Sequence, residues 1–199
     1  PFSQWLDEGT SVTYSYESIV SSSVQGKRFS LSYVTGPTSP FTVDEPETVV
    51  GNYITQYYLT VTSPFGVPSG EGWYDAGTTA YAGLDTNLVD HGNGTRRIFV
   101  NWSGDASGTN YAQSDPIIMN APKEAIANWQ TQYYLTVQVD PSGITTIPSE
   151  GWYNESETVT LTAPDVVGYQ FNYWDVDGVS QGAGVNPITV NMDAPHTAT

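Results

Sequence analysis

Short segments in which apolar and polar residues alternate recur along the whole chain. In residues 57–61, Tyr, Leu and Val at the odd positions alternate with Tyr and Thr, and residues 159–163 show the same period. A period of two is typical of a strand that places one face on a core and the other in water. Stretches rich in Gly and Pro, such as 66–70 and 140–143, separate these segments as turns do. The pattern therefore predicts short antiparallel strands.

A long internal repeat organises these strands. Residues 55–61, Thr-Gln-Tyr-Tyr-Leu-Thr-Val, recur letter for letter at 131–137, a spacing of 76 residues. Glu-Gly-Trp-Tyr at 71–74 recurs in the same order at 150–153. Two ordered identities of this length indicate duplicated modules rather than chance.

A fainter copy begins the chain. Residues 5–10 align with 73–78, but the first copy has no counterpart of the Tyr-Tyr-Leu-Thr-Val strand. We therefore divide the chain into three units. Residues 1–54 form an incomplete repeat that lacks its first strand, residues 55–130 a full repeat, and residues 131–199 a repeat whose final strand is truncated.

Modules of this size need large aromatic side chains to close a core. The tryptophans expected to do so are Trp73, Trp102, Trp152 and Trp174. Phe99 and Trp102 are three residues apart, which places them on opposite strand faces unless a bulge intervenes. Residues 122–130 could form a helical turn, but we predict a strand there because the counterpart segment 47–54 is rich in Val.

These patterns predict an all-β protein of tandem modules. Each module is expected to be a small antiparallel β-sandwich of immunoglobulin-like type, and a β-grasp-like sheet is the alternative architecture.

Composition narrows the functional classes. The 199 residues include 21 acidic and five basic residues, giving a net charge of −16, with two His and no Cys. The absence of Cys excludes disulfides and thiolate metal sites. The negative charge opposes binding to nucleic acid, and no run of about 18 apolar residues is present to span a membrane.

The series Tyr-Tyr-Leu-Thr-Val, Gly-Trp-Tyr, Phe-x-x-Trp and Asn-Pro-Ile-Thr-Val-Asn-Met-Asp-Ala-Pro resembles the divergent internalin-type B-repeat. Such repeats occur in tandem on bacterial surface proteins and on long archaeal surface proteins, and the resemblance covers essentially the whole chain. It implies an extracellular, cell-surface location and a role as a spacer, stalk or layer component. It supplies no catalytic residues.

The missing strand suggests how such modules associate. Its neighbours would have unpaired backbone N–H and C=O groups, a gap that a strand from elsewhere can fill. We expect residues 1–54 to accept such a strand or to lie beside an upstream strand. The predicted partners are therefore further copies in a homopolymer or further modules of a longer parent chain.

Three Asn-x-Ser/Thr sequons are glycosylation candidates. Asn93 and Asn154 are predicted to lie in turns, where a glycosyltransferase could reach them. Asn101 is the weakest candidate because it is predicted to lie within a strand.

Two further groups of residues have competing interpretations. Asp175 and Asp177 resemble the start of a Ca²⁺-binding loop, but an Asp-Gly hairpin turn explains the same letters, and no cofactor is predicted. Tyr58 and Tyr134 lie on the off-core face of the opening strand, where they could stack on sugar rings. The alternative is that they fill a second layer or the seam between modules.

The sequence predicts no enzyme. It contains no nucleophile elbow, no phosphate loop and no His-Glu-x-x-His, and no pair of carboxylates is marked out for glycoside hydrolysis. We expect a structural subunit or segment of a surface filament, stalk or surface layer (S-layer), carrying glycans where its sequons are used. An adhesin or carbohydrate-binding module is the alternative.

Overall fold

The computed structural model describes residues 2–199 and is built entirely from strands, turns and irregular segments. This confirms the all-β prediction. None of the described segments is a helix long and apolar enough to cross a membrane. The strands of the first copy are β1 (Ser11–Val12), β2 (Ile19–Ser21), β3 (Lys27–Thr35), β4 (Phe41–Thr42) and the start of β5 (Val50–Thr62).

The remaining strands divide between the other two copies. The second copy contains β6 (Pro68–Ser69), β7 (Gly72–Asp75), β8 (Thr79–Ala80), β9 (Gly83–Leu84), β10 (Leu88–Asp90), β11 (Thr95–Gly104), β12 (Ile117–Ile118) and the start of β13 (Lys123–Val137). The third copy contains β14 (Gly151–Asn154), β15 (Thr158–Leu161), β16 (Asp175–Val176), β17 (Val179–Ser180), β18 (Ile188–Asn191) and β19 (His196–Ala198). β19 is three residues long.

Two long strands pass from one copy to the next. β5 crosses the predicted boundary between residues 54 and 55, and β13 crosses the boundary between 130 and 131. The first half of each strand forms an antiparallel pair within its own module, β5 with β3 and β13 with β11. The second half opens the following module. The modules are therefore joined by continuous strands in one 11-stranded sheet.

The purely antiparallel arrangement expected from the sequence is wrong for two pairs of strands. β5 and β13 run parallel where Leu59–Thr62 meets Lys123–Ile126, and β13 and β19 run parallel where Leu135–Val137 meets His196–Ala198. The reason lies in the repeat itself. Successive long strands are equivalent parts of successive copies and keep the same direction, so they pair in parallel where they touch.

A separate two-stranded sheet occurs in every copy, alongside the main sheet. These sheets pair β1 with β4, β8 with β12, and β15 with β18. The same backbone hydrogen bond fixes the first two, from Gly9 N to Val43 O and from Gly77 N to Met119 O, each at 2.9 Å. In the second and third copies the small sheet shares a buried cluster with the main sheet, so these copies have two layers, which confirms the sandwich-like prediction.

Two hydrophobic cores lie between these layers. Trp102 and Trp174 are the largest fully buried side chains, one in each core. The expectation that Trp73 and Trp152 also close a core is wrong, because neither residue belongs to a buried cluster. Strand alternation is the reason: Trp73 lies opposite Tyr58 on the off-core face, while the next residue, Tyr74, packs against the core.

A β-bulge places Phe99 and Trp102 in the same core. The pairing of β11 with β13 shifts register between Phe99 and Asn101, so the two aromatic rings face the same side with centroids 5.4 Å apart. β3 has the same shift after Leu31. Leu31 is therefore the structural counterpart of Phe99.

The first copy differs from the other two in burial. None of residues 2–54 is fully buried, whereas the other copies contain buried clusters centred on Leu59 and Leu135. Residues 123–130 are extended within β13, as predicted.

Candidate functional site at the module junctions

A row of three polar residues crosses the strand that the first two modules share. Gln56 of β5 pairs with Arg28 of β3 on one edge and with Asp75 of β7 on the other. Arg28 Nε donates to Gln56 Oε1 at 2.8 Å, and Gln56 Nε2 donates to Asp75 Oδ1 at 2.8 Å. Because β3 belongs to the first module and β7 to the second, the glutamine links two modules.

The second junction repeats this row. Arg96 Nε donates to Gln132 Oε1 at 2.8 Å, and Gln132 Nε2 donates to Asn154 Oδ1 at 3.0 Å. Asn replaces Asp at the last position, and its amide oxygen accepts the same hydrogen bond. The link therefore has the same geometry at both junctions, although the second junction lacks the negative charge of the aspartate.

An arginine from one module also covers a tryptophan from the next. Arg28 Cζ lies 4.3 Å from the ring centroid of Trp73, and the edge of that ring meets Tyr58 at 5.2 Å between centroids. The second junction has the same distances in Arg96, Trp152 and Tyr134. Guanidinium groups over aromatic faces are attracted by the ring quadrupole. The off-core face that carries Tyr58 and Tyr134, for which the sequence leaves two interpretations open, therefore forms a contact between modules.

The tyrosine of each junction is also held by its hydroxyl group. Tyr58 Oη donates to Glu71 Oε1, and Tyr134 Oη donates to Glu150 Oε1, each at 2.8 Å. These hydrogen bonds to carboxylates favour the protonated phenol and raise the pKa of both tyrosines. Both rings lie at the seam between modules, the alternative weighed from the sequence. Their role in sugar stacking stays a prediction.

A glycine and a proline meet at each junction. Gly26 has a φ of 72° and no side chain, and a Cβ at this position would lie 2.9 Å from Pro122 Cβ. Gly94 has a φ of 75°, and a Cβ there would likewise lie 2.9 Å from Pro195 Cβ. The backbone of each glycine accepts a hydrogen bond from the junction tyrosine, for example from Tyr58 N to Gly26 O at 2.9 Å. Only glycine combines this φ with this close approach.

An acid–base pair anchors the closing strand of the second and third modules. Asp105 accepts from Lys123 Nζ at 2.8 Å and from Glu124 N at 2.9 Å, and the hydrogen bond from Lys123 is the main reason that its pKa is lowered. In the third module Asp177 has the same role. It accepts from Thr197 N at 2.8 Å and contacts His196 Nδ1 at 2.5 Å.

An open cleft of about 570 Å³ lies beside the first junction. Its lining includes the aromatic side chains of Tyr58 and Trp73 and the charged side chains of Asp105 and Lys123. The cleft therefore combines aromatic surface with charged groups where two modules meet.

The three sequons lie in different settings. Asn93 is exposed in the bend between β10 and β11. Asn154 is exposed too, but it is the last residue of β14 rather than part of a turn, and its side chain accepts the hydrogen bond from Gln132. Asn101 lies within β11 and is half-buried, as predicted. Glycosylation at these positions stays a prediction.

Asp175 and Asp177 belong to a hairpin. β16 and β17 are joined by Asp177 and Gly178, whose φ values of 51° and 82° suit a tight two-residue turn. This confirms the turn interpretation. Across residues 2–199, no group of three or more His, Cys, Asp or Glu side chains is arranged to hold a metal ion.

Sequence reasoning missed the arginines and glutamines of the junctions. A signal was present, because Gly-x-Arg occurs at 26–28 and again at 94–96, and the Gln of the repeated Thr-Gln-Tyr-Tyr motif is common to both copies. Identical short motifs in the two copies favour a shared contact. Which residue each arginine meets depends on strand pairing between modules, which a single repeat does not contain.

Comparison with known proteins supports the assignment of the repeat. No curated protein and no solved structure matches the chain. Residues 133–199 match the family model of the divergent InlB B-repeat domain, a repeat of bacterial surface proteins, and this match confirms for the third copy the resemblance drawn from its sequence.

Proposed function

We propose that this chain is an extracellular, non-enzymatic structural repeat that forms a segment or subunit of a cell-surface filament, stalk or surface layer. Modules or subunits in that assembly are joined by strand pairing. The observation that carries the proposal is the junction: the closing strand of one module continues without a loop as the opening strand of the next, in both β5 and β13.

A shared strand suits a mechanical role. Modules connected by a flexible linker can change their relative orientation, whereas a continuous strand paired on both edges fixes it. At each junction the Arg–Gln row and the Arg–Trp contact add side-chain links across the strand. The net charge of −16 keeps such a series of connected modules soluble and weakly self-repelling. A stiff, acidic spacer is the expected product.

Insertion of a flexible segment tests the role of the shared strand. We expect four Gly/Ser residues inserted between Gln130 and Thr131 to shorten the maximum dimension and broaden the distance distribution in small-angle X-ray scattering. The control carries the same insert after Ser142, in an exposed turn within one module. If the two inserts have the same effect, the junction is not the element that makes the molecule stiff.

Microscopy and labelling test the assembly and the location. We expect electron microscopy of the purified chain, or of the native material that contains it, to show filaments, stalks or a layer. Antibodies raised against the chain should label intact cells. Isolated monomers that stay dispersed at all concentrations, together with labelling only after cell lysis, would contradict the proposal.

A carbohydrate-binding adhesin is the second candidate, and the cleft beside Tyr58 and Trp73 is the observation that favours it. Aromatic faces next to polar groups suit sugar rings. Binding on a glycan array that is lost in the Tyr58→Ala and Tyr134→Ala variants would favour this role. Assembly that is stable to salt and needs no ligand would favour the structural role.

A further inference from the structure

We propose that Asn93 is a site of spontaneous covalent modification that loosens the second junction between modules. Its side-chain amide is converted to a carboxylate through a cyclic imide formed with the backbone nitrogen of Gly94. The only co-reactant is water, and the products are aspartate or isoaspartate at position 93. This inference goes beyond the proposed function, because it holds for the chain whatever assembly its modules build.

The residue after Asn93 has the least hindrance to this reaction. A cyclic imide forms when the backbone nitrogen of the following residue attacks the carbonyl carbon of the asparagine side chain, and a Cβ on that following residue obstructs the approach. Glycine has no Cβ. Asn93-Gly94 is the single Asn-Gly pair among the 199 residues, and every other asparagine precedes a residue that has a side chain. The sequence therefore concentrates this reactivity at one position.

The structure supplies the conditions for the attack. Asn93 is exposed in the bend between β10 and β11, so water reaches its amide. Thr95 N donates to Asn93 Oδ1 at 3.2 Å, which places a donor on the oxygen where negative charge develops during the attack. Within residues 2–199 the N–H of Gly94 has no acceptor, so no hydrogen bond has to break before its nitrogen reacts.

The reaction exchanges a nitrogen for an oxygen without oxidation or reduction. Gly94 N gives its proton to water and bonds to Asn93 Cγ, and Nδ2 takes up a proton and leaves as ammonia. Water then opens the ring at either of its two carbonyl carbons. Opening at Cγ restores the ordinary peptide bond and gives aspartate. Opening at the backbone carbonyl leaves Gly94 attached through Cγ and gives isoaspartate, which adds one carbon to the main chain.

An extra main-chain carbon before Gly94 disturbs the second junction. Gly94 O accepts from Tyr134 N at 2.9 Å, and there is so little space beside Gly94 that a Cβ would lie 2.9 Å from Pro195 Cβ. Residues 95–104 are held in the ladder of β11, so the added length has to be absorbed in the bend. Isoaspartate should therefore displace Gly94 from Tyr134, whereas aspartate keeps the length of the main chain.

The first junction is an internal control for this chemistry. Its glycine is Gly26, whose carbonyl oxygen accepts from Tyr58 N at the same 2.9 Å. The preceding residue is Gln25. A glutamine would have to close a six-membered ring, which is slower than closing a five-membered one, and Lys27 N donates to Val24 O rather than to the glutamine side chain. We therefore expect only the second junction to change on ageing.

Incubation of the intact chain at pH 8.5 tests the site. The chain is produced without glycosylation, because a glycan on Asn93 Nδ2 would prevent the loss of ammonia. Peptide mapping by mass spectrometry should show exchange of NH₂ for OH at Asn93, about tenfold or more faster than at any other asparagine, since only this one precedes glycine. The Asn93→Gln variant, which copies the first junction, should not change at this position.

A synthetic peptide of residues 90–97 shows whether the fold permits the reaction. We expect the folded chain to convert at least as fast as the peptide, because Asn93 is exposed and its Oδ1 accepts from Thr95 N. Conversion of the peptide with little or none in the folded chain would overturn the proposed site.

Hydrogen exchange tests the effect on the junction. In the fraction that contains isoaspartate, the Tyr134 amide should exchange about tenfold faster or more, because its acceptor has moved. The Tyr58 amide of the same molecules should be unchanged. Isoaspartate formation with unaltered exchange at Tyr134, or with equal acceleration at Tyr58, would overturn the claim that the modification loosens the second junction.

Discussion

The guanidinium of Arg28 lies 4.3 Å from the ring centroid of Trp73, although the two residues belong to different modules. Arg96 has the same relationship to Trp152 at the next junction. A cation over an aromatic face contributes about 0.5–2 kcal/mol, depending on how far it is removed from water. Its recurrence at an identical distance indicates that the orientation between modules is determined by the repeat sequence itself.

The first prediction is that Arg96 and Trp152 are energetically coupled. We expect Arg96→Leu and Trp152→Leu, measured alone and together by urea unfolding, to show a coupling free energy of about 0.5–2 kcal/mol. Arg96→Lys is the control. It keeps the charge but loses the planar group that both stacks and donates to Gln132, so it should recover only part of the coupling. Strict additivity of the two Leu substitutions would contradict the contact.

The second prediction concerns the close approach of Gly94 to Pro195. Gly94→Ala adds a Cβ 2.9 Å from the proline, in a backbone conformation that already disfavours side chains. Gly92→Ala is a matched control, because its φ of 72° is nearly the same as the 75° of Gly94 and its Cβ would meet nothing within 4 Å. We expect both variants to lose about 1 kcal/mol from backbone strain. Gly94→Ala should lose at least as much again from the clash, measured as a lower denaturation midpoint. Equal losses would show that the junction absorbs the added methyl group.

The third prediction separates the two classes of tryptophan. Trp102 is 2% exposed in the core, so Trp102→Ala should cost about 3–5 kcal/mol of unfolding free energy. Trp73 lies half-buried on the off-core face, so Trp73→Ala should cost clearly less but should weaken the link to the first module. Chemical denaturation of both variants checks this order. A larger loss for Trp73→Ala would restore the expectation that it closes a core.

Much of the fold could be predicted from the sequence because its local signals agree. The alternation of apolar and polar residues at 57–61 and 159–163 predicts strands, and the identity between 55–61 and 131–137 predicts repeated modules. The sequence could not show that β5 passes from one module to the next, since no turn residue marks a strand that simply continues. The parallel pairing of β5 with β13 joins residues 64 positions apart (59 with 123), and no local propensity encodes such a contact.

The placement of side chains was predictable only in part. Trp102 was assigned to the core correctly, but its partner Phe99 needed a bulge whose position depends on the pairing with β13. Trp73 was assigned wrongly because size suggested burial. The alternation of Gly-Trp-Tyr-Asp, read against Leu59 on the paired strand, would have placed Tyr74 inside and Trp73 outside. The junction site was missed because its residues belong to two modules.

The fourth prediction concerns pH, because the third module has His196 where the second has Lys123. Burial alone would lower the pKa of His196, but hydrogen bonds to Asp177 and Asp193 outweigh it and raise the pKa above its ordinary value of 6.5. Burial alone would raise the pKa of Asp177, but hydrogen bonds from His196 and Thr197 N outweigh it and lower the pKa below its ordinary value of 3.8. The raised pKa of His196 sets the upper limit of the pH range in which both groups are charged, and the lowered pKa of Asp177 sets its lower limit.

The stability contributed by His196 is fully present below pH 6.5 and is lost as the pH rises through the raised pKa of the folded state. The contribution of Asp177 is present above pH 3.8 and is lost as the pH falls through its lowered pKa. We therefore expect β19 to be best protected from hydrogen exchange between these values and less protected at pH 8.5, after correction for intrinsic exchange rates. His196→Lys should remove the loss at pH 8.5, because a lysine stays charged there. Both chains should carry His91→Gln, so that they differ in histidine content only at position 196. If the loss at pH 8.5 persists in His196→Lys, the pair does not hold the strand.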